Sequence, residues 1–506
     1  MASFQTLPDE LTLLVLRGLL LEDVLNVSRT CRYLRYITHS YPDVWKNTED
    51  ARHIPLLLGQ TLSTVPTVLL PKLVARSVSI SQTLSKPFLD PRRCTRLEIE
   101  AQTSSEDRAH DYWWRLTPKQ IYSLPGGRIV LCRWDCKVEF YGAEKGEFVG
   151  RIELPESISM HWESFDCGRT MKFASLCSRI VDEKLELSIL TYDIDFIPNI
   201  EPEEGFVMKL SVPSTIILPS IYTPTYFPGS ILLRGSMVLI QADDHILVVN
   251  MDRRTGVMFM SDQPPEEHAF FFDHDFKDAH ILKAEFHPSL AQLIIIEKEP
   301  NEFNTRYAIK TLDLSPILLD VPPYAALPQA PAFTSAKSRV TWTSLPLNPK
   351  KVYELPTKPH VTYVRYSVSN SDWVSDILLP GSQYLCLSLS DWTSITRKSR
   401  PVPVKHFLPG DNPEYGTSQL RHRLMVLNLT GMARSFASVY LGDSFGHSGV
   451  DGKAVRGEGM SCEVHHTELK FPDESDDRLS WKISMFDDVY GLGLAMSRKG
   501  VYVLRF

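Results

Sequence analysis

The stretch GGRIVLCRWDCKVEFYGAEKGEFVGRIEL, residues 126–154, alternates apolar runs with short polar turns. Residues 129–132 form one run, residues 133–136 turn the chain, and residues 138–141 form a second run. Glu144-Lys145-Gly146 then turn it again before Phe148. β-Branched and aromatic residues in short runs, punctuated by charge and Gly, fit antiparallel strands joined by tight turns. The same rhythm returns in GSMVLIQADDHILVVNMDRRTGVMFM (235–260), where Arg253-Arg254-Thr255-Gly256 supply the charged turn. It returns again in DDVYGLGLAMSRKGVYVLRF (487–506).

Weaker copies lie near 158–197, 281–314, 361–390 and 421–441. Recurrence at roughly 40–60 residues predicts repeated antiparallel units, an all-β domain built as a six- or seven-bladed β-propeller. A β-sandwich or two smaller β domains is the alternative. The last copy reaches Phe506 directly after its second strand, so a closed ring must borrow a strand from upstream. TRLEIE, residues 95–100, is expected to pair with the C-terminal blade. The region resembles a divergent WD-repeat-like propeller. Its one Trp-Asp pair in these copies, Trp134-Asp135, falls in a turn and not at the end of a strand, and the Gly-His marks are missing.

The chain has 506 residues, enough for two or more domains. Lys plus Arg total 54 against 61 Asp plus Glu, a net charge of −7, which argues against general nucleic-acid or anionic-membrane binding while leaving room for a local basic patch. Eight cysteines are too few for a disulfide scaffold and sit at no metal-binding spacing. Asp9, Glu10 and Arg17 interrupt the N-terminal apolar stretch, unlike a signal peptide. The longest uncharged apolar stretch, 54–71, contains Pro55, Gly59 and Pro66 and is no bilayer-spanning helix. A soluble cytoplasmic or nuclear protein is expected.

The N-terminus changes period. Pro8 suits a helix start, and Asp9 and Glu10 place negative charge at the positive end of the helix dipole. Leu11, Leu14, Val15 and Leu19 follow at helical spacing, and Gly18 weakens the end. A second short helix carries Val24, Leu25 and Val27; a third carries Cys31, Leu34 and Ile37; Pro42 breaks it before Trp45. Helices this short cannot offset the backbone entropy of their own ordering, so their apolar faces need the remainder of the chain or another protein. By pattern alone they are a cap on the larger domain or a partner-binding module.

Residues 7–46 resemble an F-box. The resemblance is carried without gaps by Leu7-Pro8, Glu10-Leu11, Val15-Leu16, Leu19, Asp23-Val24, Cys31-Arg32, Leu34 and Trp45; Thr30 stands where the family often has an aliphatic residue. F-boxes dock onto the Skp adaptor of cullin–RING ubiquitin ligases. The resemblance implies that Leu7, Pro8, Leu11, Leu14, Val15, Val24, Cys31, Leu34 and Trp45 form the docking face or its support, with the adaptor's helices completing the core. The layout is similar to that of fungal F-box proteins. After the box, TVLLPKLVARSVSISQTL (67–84) predicts a helix with Val68, Leu69, Leu73, Val74, Val78 and Ile80 at mostly helical spacing, closed by Pro87 and Pro91. The expected architecture is an α+β multidomain chain: F-box 1–47, helical linker 48–91 and a β-rich, substrate-binding domain 92–506.

No catalytic constellation survives inspection. Gly446-His447-Ser448-Gly449 has Val450 where a nucleophile elbow needs Gly. Gly452-Lys453-Ala454 lacks the hydroxyl a phosphate loop uses for magnesium. Asp273, His274, Asp275, Asp278 and His280 sit in a run without the central Gly of a calcium loop, and Ala284 replaces its terminal Glu. Cys132 and Cys136 are two thiols, too few for structural zinc, and His465-His466 lack ligand-spaced partners. Long Pro- or Gly-rich segments at 198–228, 320–337, 398–418 and 442–460 are candidates for substrate contact. The expectation is a non-enzymatic adaptor without metal or cofactor. It joins a Skp-type adaptor, with its cullin and RING subunits, to a target protein. A scaffold acting outside the ligase is the alternative, and a propeller enzyme a more distant one.

Overall fold

In the computed structural model, the described residues are 7–48, 51, 54–55, 62, 64–84, 86, 88–99 and 118–165, then 169–181, 184–198, 205–218, 230–241, 245–260, 281–287, 291–299, 306–314, 341–346, 350–355, 361–367, 372–379, 383–388, 402–403, 415–417, 423–428, 435–440, 463–469, 482–487, 490–497 and 500–506. Four helices open the chain: α1 (Asp9–Leu16), α2 (Leu21–Thr30), α3 (Arg32–Ser40) and α4 (Asp43–Lys46). Pro8 lies just before α1, and its carbonyl accepts the N–H groups of Leu11 and Thr12 at 3.1 Å. Gly18, at φ +75°, makes the left-handed turn between α1 and α2 without a Cβ penalty. A fifth helix, α5 (Leu70–Leu84), carries Pro71 in its first turn, where no helical acceptor is lost. Residues 67–69 form a 3₁₀ turn ahead of it, so Val68 points out and is 79% exposed.

The helical core differs from the expectation. Leu16, Leu21, Val24, Leu25, Ile37, Val44 and Trp45 are buried together with Ile54, Val65, Leu70, Val74 and Val78 of the same chain. Leu70, Val74 and Val78 recur every fourth residue and form the stripe of α5 that packs here. No external helix is needed to close this core. The Trp45 indole is satisfied inside it, donating to the Thr38 carbonyl at 2.7 Å.

From residue 88 onward every regular element among the described residues is a strand. Seven sheets occur among the described residues, one for each repeat seen in the sequence. Blade 1 is 120–123, 129–133, 137–142 and 148–153; blade 2 is 156–165, 170–181 and 184–198, with 206–210 and 214–217 both on its outer strand. Blade 3 (230–234, 237–241, 245–250, 255–260) gains 341–346 as a parallel fifth strand. Blade 4 is 281–286, 292–299, 306–313 and 350–355, and blade 5 is 361–367, 372–379, 383–388 and 402–403. Blade 6 is 415–417, 423–428, 435–440 and 463–469, with 88–89 added in parallel outside. Blade 7 is 482–487, 492–497, 500–505 and 93–96. The first strand of blade 7 packs against the first strand of blade 1, so the sheets close into a seven-bladed ring and not a sandwich.

The borrowed strand comes from upstream as expected, but two residues earlier: Arg93–Arg96 pair antiparallel with Arg505, Leu504, Val503 and Tyr502. Blade 1 holds its other side. The Glu98 N–H donates to the Gly146 carbonyl at 2.8 Å, and the Thr95 hydroxyl to the Glu144 carbonyl at 3.3 Å. Gly146 sits at φ +83°, and a Cβ there would run into the Arg96 carbonyl. Two segments expected as irregular, 198–228 and 398–418, instead contain blade strands at 206–210, 214–217, 402–403 and 415–417. The other two, 320–337 and 442–460, and the motifs at 273–280 and 446–454, lie outside the described residues.

Blades 2 and 3 are joined by side chains. Ile231, Leu233 and Gly235 donate their N–H groups to Ser159 Oγ (3.3 Å), His161 Nδ1 (3.1 Å) and Glu163 Oε2 (2.6 Å). Alternate residues of one inner strand thus satisfy alternate donors on the exposed edge of the next. The acceptor role requires His161 to be neutral, and burial holds its pKa down at about 4.

Two outcomes are expected. Gly146→Ala, with its left-handed backbone and its collision with Arg96, should destabilise the propeller by about 1–3 kcal/mol, read as a lower midpoint in a thermal scan; an unchanged midpoint would mean the closing strand is not held there. His161 has a folded pKa below its ordinary 6.5, so its contribution is complete above pH 6.5 and is lost as pH falls toward 4. Denaturant titrations across that window should show wild type losing stability more steeply than His161→Gln.

Candidate partner-docking surface

Asp9 organises the start of the helical domain. Its Oδ1 accepts from the Tyr33 hydroxyl at 2.9 Å and its Oδ2 from the Tyr41 hydroxyl at 3.1 Å, so two side chains from the two ends of the α3 segment hold the first turn of α1. The Leu7 carbonyl lies 3.1 Å from the same Tyr33 oxygen. With α1 held this way, Thr12 and Leu16 turn inward and are buried. Leu11, Leu14 and Val15, at i, i+3 and i+4, turn outward and are 48%, 60% and 50% exposed.

The nine residues implied by the F-box resemblance divide into two groups. Pro8, Leu11, Leu14 and Val15 are exposed, and Leu7 is half-buried beside them in sequence. Val24, Leu34 and Trp45 are buried within the chain's own structure. Cys31 is half-buried and caps α3, its Sγ accepting the Leu34 N–H at 3.5 Å. A thiol is a weak acceptor, yet it occupies the place where Ser or Asp ordinarily caps a helix. Leu20 and Tyr36 are also exposed apolar residues, at 44% and 61%, and the sequence reading passed over both. Tyr36 precedes the buried Ile37 on α3, which in a helix puts it on a different face.

The linker helix binds at both ends. Beyond the stripe it gives to the helical core, Ile80 is 5% exposed and lies against Gly491 in the blade 7 turn, close enough that a Cβ on that glycine would meet Ile80 at 3.3 Å. Gln82 of α5 donates to Glu22 of α2 at 3.0 Å. The helical domain is thereby braced against the ring.

Elsewhere the chemistry is sparse. Cys132 is buried in blade 1 with its thiol pKa pushed well up by burial, while Cys136 is exposed in the following turn. Lys137 and Glu139 form a buried ion pair at 2.6 Å, and Glu139 also accepts from the Tyr141 hydroxyl at 2.8 Å. The Lys137 ammonium lies 5.0 Å from the Trp134 ring, so the Trp-Asp turn serves blade packing. His465 and His466 lie in the strand 463–469, paired with Ser438 and Ala437. Among the described residues there is no group of three or more His, Cys, Asp or Glu placed to hold a metal ion, and no helix long and apolar enough to cross a membrane.

The hydrogen bond to Asp9 raises the Tyr41 pKa above the ordinary 10.0, with the carboxylate's charge acting in the same direction. A raised folded pKa means the stabilisation is complete below pH 10 and is lost as pH climbs past it. Asp9→Asn should bring the Tyr41 titration back toward 10 in a ¹³C-tyrosine NMR series. It should also flatten the alkaline loss of helical-domain stability; an unmoved Tyr41 would break the assigned contact.

Solved structures similar to this chain share little sequence with it. Kuenenia stuttgartiensis hydrazine synthase is 12% identical with a TM-score of 0.40, covering 77% of this chain and 95% of that one. The β-propeller domain of Myceliophteria thermophila Cps50 (Swd1) is 10% identical with a TM-score of 0.34, covering 76% and 96%. A chain of the yeast heterotrimeric Nup82-Nup159-Nup116 nucleoporin complex is 8% identical with a TM-score of 0.36, covering 76% and 97%. No curated protein matches the sequence. Residues 4–48 match the F-box-like family, the segment whose helices carry the exposed apolar face of α1.

Proposed function

We propose that this chain is the substrate-recognition adaptor of an SCF-type cullin–RING E3 ubiquitin ligase. The F-box-like domain docks on a Skp-type adaptor, and the propeller holds a target protein. The observation that carries this reading is the outward face of α1: Leu11, Leu14 and Val15 remain about half exposed on a helix whose opposite face lies in a finished core. Apolar side chains at helical spacing on a closed module fit a helical partner surface. In this reading Leu7, Pro8, Leu11, Leu14 and Val15 make the contact. Val24, Cys31, Leu34 and Trp45 act one step back, by holding α2, α3 and α4 beneath it.

Such a protein performs no bond chemistry of its own. It raises the effective concentration of target near the charged conjugating enzyme, and that gain depends on a fixed distance between the two sites. The bracing of α5 between helical core and blade 7 supports a rigid spacer in the segment 48–91, with the propeller of 92–506 as the target-binding body.

The test is capture of the full-length protein by a purified Skp-type adaptor. Leu11→Glu/Leu14→Glu alters only exposed positions, so it should retain circular dichroism and thermal midpoint while weakening capture by roughly tenfold or more. Trp45→Ala should weaken capture together with loss of the helical fold, by about 3–5 kcal/mol. A wild-type chain that the adaptor does not retain would leave the helices as a cap on the propeller and remove the ligase reading.

A further inference from the structure

The chain is acidic overall, yet arginines gather where the ring closes. Arg93 on the borrowed strand lies directly opposite Arg505 on the last strand. The neighbouring Arg92 N–H donates to the Arg505 carbonyl at 2.7 Å, which fixes that register. Leu492 faces Arg505 from the other side, and Gly127 of blade 1 approaches so closely that a Cβ would lie 3.0 Å from Leu492. Arg128 follows Gly127 in that turn, and its carbonyl accepts the Ala143 N–H at 2.7 Å, next to Glu144. From above comes α5. Ile80 sits on Gly491, whose carbonyl accepts the Phe506 N–H at 3.0 Å, and Arg76 is one helical turn before Ile80 on the same face.

Four elements that are distant in sequence thus deliver Arg76, Arg93, Arg128 and Arg505 to one junction. The guanidiniums of Arg76, Arg93 and Arg128 all repel the charge on Arg505, and Glu144 is the acidic group that counters them there. None of the four forms an ion pair with a described carboxylate, and the buried Nε of Arg505 has no hydrogen-bond partner among the described residues. Arg76 and Arg93 are exposed while Arg128 and Arg505 are half-buried, so the cluster is open to solvent on one side. Like charges directly across a strand pair destabilise it, and here Glu144 alone is set against the guanidiniums of Arg76, Arg93 and Arg128 around Arg505 among its leading charged neighbours.

We propose that Arg76, Arg93, Arg128 and Arg505 form a binding site for a compact phosphate-type anion at the junction of α5, blade 7 and blade 1. Several guanidiniums against a single carboxylate suit a polyvalent oxyanion better than a lone carboxylate. The planar forks of arginine match phosphoryl oxygens two at a time. A bound anion would tie the linker helix to the closing strand and to both terminal blades, and so stiffen the connection between helical domain and ring. The same phosphoryl chemistry can arrive as a free phosphate compound or on a phosphorylated protein segment.

The experiment is calorimetric titration of the full-length protein with pyrophosphate in about 150 mM salt, where exposed charges are largely screened beyond roughly 8 Å. Wild type should bind saturably and gain thermal stability from the ligand. Arg93→Gln and Arg76→Gln, both at exposed positions, should each weaken binding roughly tenfold or more, while Arg151→Gln, on the outer strand of blade 1, should leave it unchanged. A phosphoserine peptide of otherwise neutral composition is then added as competitor. Displacement assigns the site to a phosphorylated chain, and failure to displace assigns it to a free phosphate compound. No saturable binding by wild type, or equal binding by all three variants, overturns the site.

Discussion

Everything in this molecule depends on the pairing of residues 93–96 with 502–505. A ring of separate sheets has no covalent seam, and its last blade lacks an outer strand until the N-terminal segment supplies one. That pairing carries the largest sequence separation of any strand pair among the described residues, so it is slow to find and costly in loop entropy. It is reinforced from both sides, by the last strand and by the carbonyls of Glu144 and Gly146 in blade 1. Because only the short strand 88–89 of blade 6 separates α5 from this strand, closing the ring also places the linker helix, and Ile80 against Gly491 completes that placement.

Among the described residues, the inner strands of neighbouring blades share no backbone ladder, and side chains substitute for it between blades 2 and 3. Ser159, His161 and Glu163 present acceptors at the two-residue spacing of a strand to donors at the same spacing on 231–235. The apolar side chains around them form the cluster shared by blades 2 and 3, in which Leu176, Ile189, Ile231, Leu233, Val249 and Met258 are buried. Removing such a donor's partner in these surroundings costs more than the bond itself contributes.

The repeats were legible because short apolar runs broken by polar turns recur along the chain, with charged Gly turns marking blades 1 and 3. The strands missed in the sequence, among them 120–123 and 482–487, lie at the centre of the ring or in segments rich in Pro. Their character depends on neighbours from the next blade and not on a local pattern. The F-box-like helices were legible from their caps and apolar spacing. Their burial was not: Val24, Leu34 and Trp45 carry the same apolar signal as Leu11, Leu14 and Val15, and only packing separates the buried from the exposed. Cys31 was marked by resemblance as a docking or supporting residue, and its geometry makes it a helix cap.

By itself the sequence determined the order of domains, the helical start, the number of β units to within one and the need for a borrowed strand. These follow from periodicity and from counting strands, which are local properties. The tertiary structure alone decided that α5 closes the helical core, which face of α1 is left to solvent, and that four arginines from four separate segments converge beside the ring's seam. Such facts depend on which distant residues become neighbours, and that is set by the closure of the ring rather than by any local stretch of chain.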